Sequence, residues 1–186
     1  MKVTSTNILD VKIIEPTVYG DERGFFMETF HEEYFISEVC NKKFVQDNHS
    51  KSKKGILRGL HLQSKNPQGK LVRVVSGEVY DVAVDLRKNS KSYGQWVGVY
   101  LSSENNKQLW VPEGFAHGFY VISPFAEFVY KCTDYYNPKF EKTLAWNDED
   151  LNIEWPLDGE PILSPKDSVG EEFNKLDSNW SGVDVD

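Results

Sequence analysis

Hydrophobic and polar residues alternate along this chain in short runs, which is the pattern of β-strands with one buried face. The clearest run covers residues 77–86. One face carries Tyr80, Val82, Val84 and Leu86, and the other carries Val79, Asp81, Ala83 and Asp85. Further runs cover residues 71–75, 94–101, 108–111 and 125–133, with turn-forming pairs such as Asn89-Ser90 and Glu113-Gly114 between them. Short strands at near-regular spacing predict an all-β sandwich or barrel.

Helical patterns are few. Residues 31–39 predict a short helix with Tyr34, Phe35 and Val39 turned inward, and a second short helix is expected near Ser168. The polar, acidic stretch from residue 177 onward is expected to be a loose tail. A chain of 186 residues without internal repeats suits one domain. The sequence therefore predicts a single domain over residues 1–186 with short peripheral helices.

The charge balance narrows the choice of partners. A net charge of -8 argues against nucleic acid and against an anionic membrane surface, since both bind mainly through cations. No apolar run is long enough to span a bilayer, and no signal-peptide pattern opens the chain. Cys40 and Cys132 lie far apart and have no metal-like spacing. We therefore expect a cytoplasmic protein with no nucleic-acid or membrane partner.

One segment is cationic, although the chain as a whole is acidic. Residues 48–77 contain no Asp or Glu but hold seven cations: Lys51, Lys53, Lys54, Arg58, Lys65, Lys70 and Arg73. Arg and Lys bind phosphate oxygens well, so the segment could form a site for an anionic ligand around His61. A basic, solvated surface explains the charge equally well. Charge alone leaves both readings open.

Two fragments resemble the motifs of the cupin superfamily. The first is Gly55-x5-His61-x-Gln63, and the second is Pro112-x-Gly114-x2-His117. Metal-binding cupins supply two His, a Glu and a further His from these motifs. Here Gln63 replaces the second His, and no Glu occurs in residues 64–68. Because a divalent site usually needs three or four ligands, the sequence predicts a protein without a metal centre.

A longer series of motifs is more specific. These are GDERGFF at 20–26, FVQDNHS at 44–50, LRGLH at 57–61, QGKLVR at 68–73, GEVYDVAVD at 77–85, WVPEGFAHGF at 110–119 and YKCTDYY at 130–136. In this order, from about Ile8 to Asp167, they resemble the dTDP-4-dehydrorhamnose 3,5-epimerase family. The resemblance implies a cupin-type β jelly roll and a homodimer with exchanged N-terminal strands. It implies inversion of C3 and C5 of dTDP-4-dehydro-6-deoxy-D-glucose without a cofactor.

The resemblance also implies roles for individual residues. His61 matches the proton-abstracting base, Tyr130 the proton donor on the other face of the sugar, and Asp167 the carboxylate that orients His61. Lys70 and Arg58 match cations near the sugar oxygen and the diphosphate. The remaining substrate-contact positions correspond to Arg23, Glu28, Gln46, Asp47, Asn48, His117, Glu141 and Lys166. Arg23 and Glu28 are expected to come from the partner subunit.

These residue types suit the chemistry. Epimerisation beside a ketone needs a base, an acid on the opposite face and a group that stabilises the enolate. An imidazole of pKa ~6.5 can accept a proton at neutral pH, and a phenol of pKa ~10 can return one. A fixed ammonium group stabilises the developing oxyanion. Proton abstraction from a keto sugar is therefore feasible with this set.

Other readings remain for the same residues. An isolated His or Tyr in a strand is more often structural than catalytic. Asp81 is a rival carboxylate partner for either His61 or His117, because strand alternation places it on the polar face. Three other functions fit the motifs less closely. They are an enzyme that inverts one carbon or moves the ketone, a sugar-nucleotide-binding cupin without activity, and a metal-dependent oxygenase, which Gln63 disfavours.

Overall fold

The computed structural model describes residues 1–176 and confirms the prediction of an all-β chain. The acidic tail expected from residue 177 lies outside the described residues. The strands are β1 Lys2–Ser5, β2 Lys12–Glu15, β3 Val18–Asp21, β4 Gly24–Met27, β5 Gln46–Lys53, β6 Leu57–Gln63, β7 Lys70–Ser76, β8 Glu78–Asp85, β9 Trp96–Ser102, β10 Gln108–Val111, β11 Phe115–Val121, β12 Phe125–Cys132 and β13 Glu141–Thr143. The α-helix α1 covers Glu32–Glu38, and short 3-10 helices cover Asp167–Val169 and Phe173–Lys175.

Two antiparallel sheets form the body of the predicted jelly roll. The first has six strands in the order β1-β2-β10-β7-β12-β5, and the second has five in the order β13-β6-β11-β8-β9. The hairpin β3–β4 forms a separate two-stranded sheet. Strands distant in sequence are neighbours in each sheet, so residues from all parts of the chain meet in the space between the sheets.

Alternation along β8 explains how both faces of the five-stranded sheet are buried. Val79 and Ala83 join the core between the sheets, where they pack with residues such as Val72 and Phe128 of the six-stranded sheet. Residues 82, 84 and 86 belong to a second apolar cluster on the outer face. The C-terminal segment covers that face with residues that include Leu144 and Leu151. The two faces predicted for β8 are thus both confirmed.

The helix α1 lies against the other sheet. The helix predicted over residues 31–39 is present at Glu32–Glu38, and His31 caps its N-terminus by accepting a hydrogen bond from the Tyr34 N–H. Phe35 is buried and packs edge-on against Trp110 at a centroid distance of 5.3 Å. Val39 packs against the apolar cluster that contains Phe35 and Trp110. The second predicted helix is present only as the short 3-10 helix at Asp167–Val169.

Strand β5 could not be predicted from hydrophobic alternation. Its residues, QDNHSKSK, are polar throughout, so no hydrophobic alternation marks it as a strand. It pairs with β12 in a continuous antiparallel register and forms one edge of the six-stranded sheet. Lysines on an edge strand oppose further strand pairing. A polar edge strand of this kind can line a polar cavity, and β5 does so.

A buried ion pair fastens the turn that follows β8. Asp85 is fully buried and accepts hydrogen bonds from Arg87, Ser90 and Ser92. Arg87 also pairs with the exposed carboxylate of Asp10 at 2.9 Å. Burial alone would raise the pKa of Asp85, but the hydrogen bonds from Arg87 and the serines bring it below its ordinary value. The carboxylate is therefore ionised in the folded protein.

We expect Asp85→Asn to lower the free energy of unfolding by about 3 kcal/mol, because it leaves Arg87 buried without its main counter-ion. Asp10→Asn is the matched control, and it should cost less than about 1 kcal/mol because that carboxylate is exposed. The pKa of Asp85 is lower in the folded protein than in the unfolded chain. The ionised carboxylate therefore stabilises the fold fully above the unfolded-state pKa, and this stabilisation is lost as the pH falls through the folded-state pKa. Urea unfolding measures both variants, and equal losses would contradict this account.

Candidate active site

A cavity of about 340 Å³ opens between the two sheets. Strands β5, β7 and β12 supply Gln46, Asn48, Lys70 and Tyr130 from one sheet, and β6, β11 and β13 supply Arg58, His61, His117 and Glu141 from the other. Lys166 lies beside it, just before the 3-10 helix that starts at Asp167. Most of the residues predicted for the site are thus brought together.

His61 and Asp167 form a close hydrogen-bonded pair. The His61 Nε2 atom lies 2.5 Å from Asp167 Oδ1, and the carboxylate is only 4% exposed in its side chain. Ser164 donates to the other carboxylate oxygen at 2.7 Å. Burial would raise the pKa of Asp167, but the hydrogen bonds from His61 and Ser164 hold it below its ordinary value. An ionised carboxylate on Nε2 leaves Nδ1 as the nitrogen that can accept a proton.

A second His–carboxylate pair joins the neighbouring strands β11 and β8. His117 stands opposite His61 in the β6–β11 register, and its Nε2 lies 2.9 and 3.0 Å from the two oxygens of Asp81. Asp81 is fully buried, and burial raises its pKa, while His117 acts in the opposite direction. Of the two carboxylates considered for His61, the structure therefore assigns Asp167 to His61 and Asp81 to His117.

Two glycines let β6 and β11 approach closely enough to place these groups. A Cβ on Gly59 would lie 2.6 Å from the Gly118 Cα, and one on Gly118 would lie 2.6 Å from the Arg58 carbonyl oxygen. Gly59 also has a φ of 121°, which favours glycine. The register shifts at this point between His117 and Phe119. The irregularity brings Arg58 and His61 to one cavity, although they are three positions apart and a regular strand would turn them to opposite faces.

The cations that line the cavity differ in their partners. Burial lowers the pKa of the Lys70 ammonium group, while Cys132, Asp81 and Glu141 counteract the effect. Arg58 donates from Nε to the Ser52 hydroxyl at 2.9 Å. None of the ion pairs among residues 1–176 includes Arg58, so its guanidinium can bind an anion. Lys166 pairs with Glu141 at 2.8 Å.

Tyr130 faces the cavity from the sheet opposite His61. It lies in β12, beside Asn48 of β5 and Val72 of β7 in the register. Burial raises the pKa of Tyr130 to about 12, with Cys132 adding to the rise and Arg58 opposing it. The phenol therefore keeps its proton across the physiological range and can act as a donor to a strong base such as an enolate.

Three of the predicted site residues lie away from this cavity. Asp47 points to the outer face of the six-stranded sheet, where it pairs with Lys131 and borders a second cavity of about 390 Å³. Arg23 lies on the β3–β4 hairpin with 85% of its side chain exposed, and it pairs with Asp21. Glu28 is exposed just after β4. Within one chain these residues do not reach His61.

Tyr136 lines the cavity but was not among the predicted site residues. Its hydroxyl donates to Glu141 at 2.9 Å, and its backbone N–H donates to Gln46 Oε1 at 2.9 Å. It ends the YKCTDYY motif, which was the only available indication. Gln68 also lines the cavity, within the cationic segment noted in the sequence. A loop residue has no strand alternation to show which way its side chain points.

The residues present do not fit a divalent metal ion. His61 and His117 each hold a carboxylate through Nε2, and the Gln63 amide binds backbone groups. Across residues 1–176, no group of three or more His, Cys, Asp or Glu is placed to bind a metal. The donor set thus agrees with the sequence in disfavouring a metal-dependent oxygenase. Among the same residues, no helix is long and apolar enough to cross a membrane.

Known proteins share this fold and these motifs. Residues 5–175 match the family described as dTDP-4-dehydrorhamnose 3,5-epimerase. A relative of that name from Salmonella typhimurium is 59% identical over 172 residues, which are 91% of this chain and 93% of the relative. Another from Neisseria gonorrhoeae is 54% identical over 179 residues, which are 96% of this chain. This chain spans only 55% of the Neisseria protein.

Solved structures agree with this match. A 3,5-epimerase from Legionella pneumophila in complex with dTDP-4-keto-L-rhamnose superposes with a TM-score of 0.94 at 53% identity, covering 96% of both chains. A 3'-monoepimerase from Streptomyces bikiniensis in complex with dTDP-quinovose gives a TM-score of 0.84 at 32% identity, covering 90% of this chain and 86% of that one. The fold and site define a cupin-type jelly roll with acid and base groups in its cavity. The chain belongs to the dTDP-4-dehydrorhamnose 3,5-epimerase family.

We expect catalytic turnover by this protein to be unaffected by EDTA, because no group of three or more His, Cys, Asp or Glu among residues 1–176 is placed to bind a metal. Metal analysis of the active, purified protein should find no stoichiometric Zn, Fe or Mn. Loss of such a metal together with activity on chelation, and recovery of both on its return, would contradict this expectation.

Proposed function

We propose that this protein converts dTDP-4-dehydro-6-deoxy-D-glucose to dTDP-4-dehydro-L-rhamnose by inverting C3 and C5, a reaction of dTDP-L-rhamnose biosynthesis. The observation that carries the proposal is the placement of His61 and Tyr130 on opposite sheets facing one cavity. A sugar ring between the sheets would expose one face to a base and the other to an acid. Inversion of a carbon needs this arrangement.

The reaction begins with removal of a proton. The C4 ketone acidifies the C–H bonds at C3 and C5, so each can be broken without a cofactor. Neutral His61 accepts the proton through the nitrogen not bonded to Asp167, whose negative charge stabilises the resulting imidazolium. The electrons move to the C4 oxygen, and the Lys70 ammonium stabilises that enolate. Loss of one such donor typically raises the barrier by about 3 kcal/mol.

The second step returns a proton to the opposite face of the same carbon. Tyr130 donates its phenolic proton, the C4 ketone re-forms, and the carbon is inverted. Imidazolium and phenolate then remain, so both must exchange with water before the second carbon reacts. A phenolate whose conjugate acid has a pKa of about 12 is readily reprotonated, and the side chain of His61 is 26% exposed, so it can release its proton.

The rest of the cavity supplies groups for a nucleotide diphosphate. Arg58 and Lys166 are cations at its border, and the side chains of Gln46 and Asn48 line it from β5. Arg–phosphate hydrogen bonds are charge-assisted and often bidentate. Glu141 accepts hydrogen bonds from Lys166 and Tyr136, so it orients both. This supports a role for the predicted contact residues that lie in the cavity.

The proposal includes a homodimer with exchanged N-terminal strands. The β3–β4 hairpin exposes Tyr19, Phe25 and Phe26 by 65%, 66% and 69%, and apolar exposure of this extent is typical of interaction surfaces. Arg23 and Glu28 belong to this segment and would enter the partner's cavity. The exchange would explain why two predicted substrate contacts lie outside the cavity of their own chain. The free thiols of Cys40 and Cys132 suit the cytoplasmic location that we also propose.

The division of roles can be tested by proton exchange in D2O. Wild-type protein should incorporate deuterium at both C3 and C5, whereas a 3'-monoepimerase would invert C3 alone. We expect His61→Asn to abolish exchange and product. Tyr130→Phe keeps the ring but loses the donor, so the yield of inverted product should fall at least about 100-fold while some exchange persists. NMR of the recovered sugar measures both.

His49→Asn serves as the control, because His49 is exposed and pairs with Glu127 on the outer face of its sheet. That variant should exchange and invert like the wild type. Near-normal exchange at both carbons in His61→Asn would show that another residue is the base. Exchange at C3 alone in the wild type would favour the rival function, a monoepimerase on the same scaffold.

Subunit exchange can be tested by complementation. Arg23→Ala and His61→Ala homodimers should each be nearly inactive, but a heterodimer would contain one site that combines an intact His61 with an intact Arg23 from the partner. Statistical mixing should then restore about a quarter of the wild-type activity. Mass spectrometry verifies that the subunits have mixed. Verified heterodimers without recovered activity would indicate that each site is built from one chain.

A further inference from the structure

Gln63 occupies the position at which a metal-binding cupin would place a histidine, yet it reaches no ligand site. It is the last residue of β6, two positions after His61, so strand alternation turns both side chains to the same face. Gln63 is 4% exposed, and its amide bonds to the loop between β12 and β13. Gln63 is therefore covered by the loop that carries Tyr136.

All three hydrogen bonds of the Gln63 amide go to backbone groups. Its Nε2 donates to the Asn66 carbonyl at 2.8 Å and to the Tyr135 carbonyl at 3.2 Å. Its Oε1 accepts from the Asn137 N–H at 2.6 Å. Two of the three bonds fall on the residues immediately before and after Tyr136. The amide thus fixes the backbone on both sides of that tyrosine.

The loop has few other means of holding its shape. The backbone N–H groups of residues 135, 136, 137 and 139 donate to side-chain oxygens and not to the backbone of a neighbouring strand. Gln46 and Gln63 supply two of those acceptors. Gln68 adds a bond from its Nε2 to the Asp134 carbonyl at 2.8 Å. The conformation of the loop therefore depends on side-chain amides of β5, of β6 and of the segment between β6 and β7.

The position of Tyr136 affects the cavity at two points. Its ring lines the cavity, and its hydroxyl donates to Glu141, which in turn accepts from Lys166. Gln63 also pairs with Glu141 in the β6–β13 register. His61, Asp167 and Tyr130 make no hydrogen bond to this loop among those of residues 1–176. A shift of the loop would therefore disturb the border of the cavity before it disturbed the acid and the base.

We infer that Gln63 is a positioning residue for substrate binding, which acts by holding Tyr136, and through it Glu141 and Lys166, against the bound nucleotide sugar. This inference rests on the proposed function for the identity of the ligand. It assigns a role to the residue that replaces the cupin metal ligand. The same strand position that could hold a metal instead holds the loop that closes one side of the substrate cavity.

Gln63→Met tests the inference, because methionine has a similar length and makes no amide hydrogen bonds. We expect the Kd for thymidine diphosphate and the KM for the keto sugar nucleotide to rise about tenfold, since unpaired backbone groups let the loop shift. The kcat should stay within about threefold of the wild type, because the acid and base keep their positions. Calorimetry and steady-state kinetics provide these values.

Ser64→Ala is the matched control. The Ser64 hydroxyl donates to the Phe140 carbonyl at 3.1 Å, so it joins β6 to the same loop, but at the end away from Tyr136. The Ser64 N–H keeps its own bond to that carbonyl at 2.8 Å. Binding by Ser64→Ala should match the wild type. If Ser64→Ala weakens binding as much as Gln63→Met, general loosening of the loop is the cause and the inference fails.

A double-mutant cycle with Tyr136→Ala separates positioning from general stability. If Gln63 acts through Tyr136, then Gln63→Met should change the Kd by less than about twofold in the Tyr136→Ala background. An equal tenfold loss in both backgrounds, or a fall in kcat with KM unchanged, would overturn the inference. Gln63→Glu, which retains the acceptor for the Asn137 N–H, replaces Gln63→Met if the latter does not fold. Wild-type protein that neither binds nor turns over the nucleotide sugar would instead refute the proposed function.

Discussion

Among residues 1–176 four carboxylates are buried, and the structure depends on giving each of them a partner. Asp148 accepts hydrogen bonds from backbone N–H groups, and the other three pair with side chains. Asp167 binds His61, Asp81 binds His117, and Asp85 binds Arg87. An unpaired buried charge would cost several kcal/mol, so these pairings restrict which side chains can stand beside one another. Two of the pairs border the cavity, where each orients an imidazole. The third is structural and fastens the turn after β8.

The division of the site between two sheets follows from the architecture. Apolar side chains such as Val72 and Phe128 fill part of the space between the sheets. Elsewhere the facing side chains are polar and leave a cavity. Groups on facing sheets necessarily approach a ligand from opposite sides, which is what inversion of a carbon requires. The pairing of β6 with β11 and β13 supports His61, and the pairing of β12 with β5 and β7 supports Tyr130.

The borders of the cavity are supported differently from its centre. Strand ladders hold His61, His117, Lys70 and Tyr130, whereas side-chain amides from Gln46, Gln63 and Gln68 hold the loop around Tyr136. Each support can fail without the other, so binding and chemistry are expected to respond to different substitutions. The exposed aromatic hairpin β3–β4 is a third part of the site. In the proposed dimer it is held by contacts with the partner subunit.

The sequence by itself determined the strands whose hydrophobic residues alternate, such as β8 and β12, because one or both faces must be buried. It also determined the family, since a long ordered series of motifs leaves few alternatives. Two of those motifs contain His61 and Tyr130, whereas Asp167 lies beyond the last of them. Strand alternation could not decide which histidine Asp81 would bind. It could not reveal β5 either, whose residues are polar on both faces.

Tertiary structure alone decided the remaining features. The family resemblance implied that Asp167 orients His61, but these residues lie 106 positions apart and no local pattern records the contact, so only the structure gives its geometry. The irregularity at Gly59 turned Arg58 and His61 to one cavity against the regular alternation of a strand. The hydrogen bonds of Gln63 to a distant loop likewise depend on how the chain packs. A sequence pattern reports whether a side chain is buried, whereas a site depends on which side chains are buried together.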